Sequence, residues 1–167
     1  MSGPNNAAGV NLASVVQFRR KASGAVVEAK PTTRPAEGPN GASNQLRVRQ
    51  QEILTELGLL ALKGTPFLEL LDHTARLTAE GLRAEFCKVL EFLPDRNRLI
   101  VRAGVGWDPG VIGSATVGAD LESPAGYALQ TGAPVISNHL ENEERFRTPE
   151  LLVEYGIHRA MNVILEG

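Results

Sequence analysis

The spacing of apolar residues changes near residue 84 from a helical to a strand period, and that change limits the folds open to this chain. Before it, Leu46, Ile53, Leu57 and Leu60 recur at multiples of a helical turn, and Phe67, Leu70, Leu71, Ala75 and Leu82 do the same. After it, residues 85–93 and 98–105 take the two-residue period of strands and flank Pro94-Asp-Arg-Asn97, a turn composition. In the second of these segments Leu99, Val101, Ala103 and Val105 share one face, while Ile100, Arg102 and Gly104 share the other. Helices followed by a hairpin predict an α+β domain with an antiparallel sheet.

Local signals place the remaining elements. Ser43-Asn44 caps the first helix and Lys63-Gly64 stops it, a length of roughly 27 Å. Thr65-Pro66 starts the second helix, since proline at the first helical position loses no hydrogen bond. A Gly-rich connection from Gly104 to Gly118 carries Trp107, the only tryptophan. Ser123-Pro124 opens a short helix that ends at Thr131-Gly132, and residues 134–137 form a short strand. An acidic loop over 138–147, a helix from Thr148-Pro149 to Gly156 and a strand over 159–165 complete the chain. Residues 1–43 contain four Pro, five Gly and a single aromatic, Phe18, and are expected to be a disordered tail and linker. The ordered domain is therefore placed at 44–167.

Charge becomes informative only when divided. Residues 1–43 hold five Lys/Arg against two Glu, a net of +3, and residues 44–167 carry a net of −5. The ordered part has no general electrostatic reason to approach nucleic acid. No apolar run reaches the roughly 20 residues that span a bilayer, so no membrane partner is expected. Cys87 is the only cysteine, which excludes an internal disulfide and fits a reducing, cytoplasmic setting.

Residues 123–137, Ser-Pro-Ala-Gly-Tyr-Ala-Leu-Gln-Thr-Gly-Ala-Pro-Val-Ile-Ser, resemble the signature of GAF domains, in which a short helix enters a Thr-Gly turn and then an inner strand. The continuation through Glu144-Arg-Phe146 and residues 159–165 is also similar, as is the opening of two helices and a hairpin. The resemblance covers about 44–166 and is nearest to the input domains of bacterial sensor histidine kinases. It implies a GAF-like, PAS-related sheet covered by two helices, with a ligand-sized hollow on its other side. The family usually closes with one more strand after the position of Leu165, and here the chain stops at Glu166-Gly167. A missing final strand, an unpaired sheet neighbour and an absent output domain are expected.

The resemblance also implies a site. Phe86, Trp107, Tyr127 and Phe146 fall in elements that surround the hollow, and Ser137 and Asn138 supply polar groups. Asn138, Phe146 and Glu150 imitate fragments of a cyclic-nucleotide set, but no Lys follows Asn138. Catalytic chemistry is not signalled. Gly104-Val-Gly-Trp-Asp-Pro-Gly110 lacks the spacing of a dinucleotide motif, and no phosphate-binding P-loop sequence exists. Cys87 lies in a strand with no base at hand, and His139 with Glu141, Glu143 and Glu144 reads as a charged turn before a metal site. No cofactor and no enzymatic activity are expected. The expected function is a sensory domain that binds a small ligand, or dimerises through the 44–63 helix, to control an output such as a histidine kinase. The alternative is a ligand-free dimerisation or protein-interaction module.

Overall fold

The computed structural model describes residues 12–18 and 39–165. In chain order the first elements are β1 (Leu12–Phe18), α1 (Pro39–Leu62), α2 (Phe67–Leu82), β2 (Phe86–Leu93) and β3 (Arg98–Val105). There follow β4 (Thr116–Gly118), α3 (Pro124–Thr131), β5 (Val135–Ser137), α4 (Glu150–Glu154) and β6 (Arg159–Leu165). The strands form one antiparallel sheet in the order β4-β3-β2-β1-β6-β5.

The expected hairpin is β2–β3, but a register shift between Val89 and Leu90 puts Leu99 and Val101 on the face opposite Ala103 and Val105, not all four on one face. Pro94–Arg96 turns the chain in one 3-10 turn, and Asn97 closes it at a φ of 47°. Asparagine tolerates this left-handed conformation better than most side chains. Ser123 caps α3 as its sequence suggests: its hydroxyl accepts a hydrogen bond from the Gly126 N–H at 2.9 Å. Gly132 ends the same helix at a φ of 63°, where glycine carries no Cβ penalty.

Two expectations are corrected. Leu12–Phe18 is a strand and not part of a disordered tail: it pairs along its length with β6, and residues 12–17 also pair with β2. Pairing on both sides supplies the backbone hydrogen bonds that isolated composition cannot reveal. α1 likewise begins at Pro39, upstream of the expected cap. The rest of that segment, residues 1–11 and 19–38, lies outside the described residues. No strand follows β6 among the described residues, yet β6 has β5 on one side and β1 on the other. The expected unpaired neighbour does not arise. The sheet's edges are β4 and β5, each three residues long, and such short edges limit edge-to-edge association.

One face of the sheet lies under α2. Leu71, Ala75 and Ala79 of α2 pack with Cys87, Val89 and Ala103. α1 stacks on α2 in a further layer, where the Gln50 side chain donates to the Gly81 carbonyl at 2.9 Å and Arg49 reaches Glu80 at 2.7 Å. So one helix covers the sheet, and the second covers the first. The opposite face is roofed by α3, α4 and the loop between β5 and α4, which contribute Ala128, Leu140, Phe146 and Leu152 to a core with Phe86 and Ala160.

Candidate functional site

Strand alternation sorts β2 between these two faces. Cys87 and Val89 point to α2, and Phe86 belongs to the opposite core. Lys88 shares the side of Phe86. It is 2% exposed, and among the described residues no carboxylate lies within ion-pair distance of it. Its Nζ stands 4.9 Å from the centroid of the Trp107 ring. Burial pulls the Lys88 ammonium down to about 7.

Trp107 can lie there because Gly104, opposite Lys88 in the register, has no side chain. A Cβ at Gly104 would stand 2.8 Å from the Cys87 carbonyl oxygen and 2.8 Å from the indole. The indole N–H donates to that same carbonyl at 2.8 Å. Phe86, Trp107 and Tyr155 form an aromatic wall, with centroids 5.2 Å apart for Phe86–Trp107 and 5.0 Å for Trp107–Tyr155. The Tyr155 hydroxyl accepts from the Asp108 N–H at 3.0 Å, which ties α4 to the Gly-rich connection. A groove of about 580 Å³ runs past Asp108, Glu154 and Tyr155 on the outer side of this wall.

The same cross-strand row contains a second buried polar residue. Lys88 pairs with Val15, Val15 with Asn162, and Asn162 with Val135. Asn162 is 2% exposed, and neither Nδ2 nor Oδ1 has a hydrogen-bond partner. Lys88 and Asn162 therefore project from one face, two strand spacings or roughly 10 Å apart at the backbone.

The magnitudes identify an imbalance. A cation–π contact contributes about 0.5–2 kcal/mol. Desolvating an ammonium costs several kcal/mol, and each orphaned amide group about 1–3 kcal/mol. Trp107 alone does not offset the burial of Lys88, and nothing offsets that of Asn162. A group that accepts from the ammonium and exchanges hydrogen bonds with the amide would relieve both.

The sequence-predicted residues divide into four places. Phe86 and Trp107 flank Lys88. Tyr127 and Phe146 pair separately at 5.8 Å within the same core. Ser137 is buried beside Glu143, whose carboxylate is pulled down to about 2, chiefly by Arg145 and further by a hydrogen bond with Ser137. Asn138 is exposed, and its carbonyl accepts from Arg159 Nε at 3.3 Å. Sequence reasoning missed Lys88, Tyr155 and Asn162. Elsewhere, Cys87 is buried and its thiol is pushed up to about 12, the reverse of an activated thiolate. His139 and His158 each lie 3.6 Å from the exposed Glu141 carboxylate. Among the described residues no group of three or more potential ligands is placed to hold a metal ion, and no helix is long and apolar enough to cross a membrane.

Comparison with known proteins bears on this arrangement. The GAF domain model matches residues 66–165. Among solved structures, the A. aeolicus nlh2 GAF domain in an inactive state aligns with a TM-score of 0.54 and 13% identity, over 73% of this chain and 82% of that one. The GAF domain of a phosphoenolpyruvate-protein phosphotransferase from Coxiella burnetii gives 0.52 and 16%, over 72% and 77%. That of the Acinetobacter phosphoenolpyruvate-protein phosphotransferase gives 0.50 and 14%, over 73% and 77%. Comparison with curated protein sequences gives no match. With the family model covering more than half of its length and the same fold in these structures, the chain belongs to the GAF domain family.

Proposed function

We propose that this chain is a sensory input module whose ligand is held between the sheet and the roof formed by α3 and α4. Domains of this family are in general regulatory or sensory. The carrying observation is a pair buried on one face: Lys88, with no described carboxylate in ion-pair range, and Asn162, whose amide atoms have no hydrogen-bond partner. Strand β2 offers the route outward. Its Lys88 faces the site, and its neighbours Cys87 and Val89 pack under α2, which carries α1. A ligand that favours one placement of β2 thereby favours one placement of the helices. The output it controls, such as a histidine kinase, would be reached through α1. A thermal-shift screen of metabolites against the full chain tests this reading. At least one compound should raise Tm with saturation; no stabilisation by any compound at saturating dose contradicts it.

The second reading, a dimerisation module acting through the 44–63 helix, is favoured by a different observation. Val48, Leu54, Leu59 and Leu62 of α1 are more than half exposed, and a shallow groove of about 620 Å³ runs along Val48, Thr55 and Leu59. Val48, Leu59 and Leu62 lie on one side of the helix, an apolar stripe suited to a second α1. Light scattering across a concentration series should show a dimer that Leu59→Lys dissociates. A monomer at every concentration removes the second reading.

A further inference from the structure

We infer that the Lys88–Asn162 site takes a small monocarboxylic acid that carries a hydroxyl or carbonyl group at its other end. This rests on the ligand-sensing reading and specifies its chemistry. The charge argument comes first. Lys88 is a single buried ammonium with no described carboxylate beside it, so one negative charge neutralises the site. A phosphate group, carrying close to two, would leave an uncompensated buried charge. The second argument is the unmet capacity of Asn162. Its amide has a free donor and a free acceptor, a combination that a hydroxyl satisfies in full and a carbonyl in part.

Reach sets the size. The two residues stand on one cross-strand row with Val15 between them. Two strand spacings make roughly 10 Å at the backbone, so an acid that meets both residues carries its second polar group a few carbons from its carboxylate. Trp107, over Gly104 on the β3 side of Lys88, closes that flank of the ammonium, and the acid approaches from the β1 side. The groove outside the wall carries Asp108 and Glu154, which repel an anion, so the acid's place is on the inner side of Trp107.

The experiment follows thermal unfolding of the full chain at fixed ionic strength with 4-hydroxybutyrate, its uncharged amide or inorganic phosphate. At about a hundred times Kd, the acid should raise Tm by roughly 5 °C or more, and the amide and phosphate should not. Lys88→Met should abolish the response and Asn162→Leu should weaken it. Circular dichroism verifies that both variants fold. In the unaltered chain, the Lys88 ε-methylene resonances should shift as the acid is added, which keeps the proposal testable where a variant fails to fold. An amide or phosphate as effective as the acid overturns the carboxylate assignment. A Lys88→Met chain that responds like its parent does the same, as does the absence of any response to the acid. These failures leave the metabolite screen to decide the broader reading separately.

Discussion

Gly104 is needed for Trp107 to lie where it does. An added Cβ at Gly104 would strike the Cys87 carbonyl and the indole together, each at 2.8 Å, and one of these is backbone that cannot step aside. Gly104→Ala should therefore cost on the order of 1–3 kcal/mol in urea unfolding and red-shift or broaden Trp107 fluorescence as the indole is displaced toward water. An unchanged midpoint and spectrum would show that the indole is not pinned there. Asn162 sets up the opposite expectation. Replacing an amide whose two polar atoms are orphaned with an apolar side chain removes a penalty, so Asn162→Leu should be neutral or stabilising in the absence of ligand. A loss of about 2 kcal/mol or more would mean that the amide is satisfied in solution. Lys88 was legible in principle. Phe86, Lys88 and Leu90 alternate with Cys87 and Val89, and apolar neighbours on both sets mark a strand buried on both faces. A lysine inside such a strand has no route to water. Read alone, it passes for an ordinary outward-facing charge.

At the scale of elements, β1 joins what would otherwise be two separate sheets, β4-β3-β2 and β6-β5. Deleting residues 1–20 should leave β2 and β6 with unpaired edges and strip their amides of hydrogen-exchange protection. Full protection in both strands after the deletion would show that β1 is dispensable. This strand was hidden in the sequence because its partners are distant: Phe18 pairs with Arg159. Nothing local in a stretch rich in Gly, Pro and Asn announces such a pairing. β4 was missed for a related reason, since three residues in a Gly-rich connection carry no period. The hairpin, α3 with its Ser123 cap, and the strand over 159–165 were legible because each is specified by its own residues. The aromatic side of the candidate site, Phe86 and Trp107, was legible as residues of the chain. Its polar side was not, because the meeting of Lys88 with Asn162 depends on β1 standing between them.

The whole molecule is one sheet with α2 on one face and α3 and α4 on the other, the proposed ligand lying on the second. The asymmetry has a thermodynamic signature. Lys88 is held near 7 when folded, against an ordinary value of 10.5, so between these limits the folded chain binds fewer protons than the unfolded chain. Stability should then rise with pH from about 7 upward, the full penalty of the buried ammonium being present below that point. Cys87, pushed up to about 12, acts in the other direction, so its contribution falls once pH passes about 9. The measurement that isolates Lys88 is the unfolding free energy of the parent chain and of Lys88→Met by urea titration at pH 6, 7, 8 and 9. If an uncompensated ammonium lies at the centre of the site, the parent should gain stability relative to Lys88→Met as pH rises through 7 to 9. Parallel pH profiles, with a constant difference between the two chains, would contradict it.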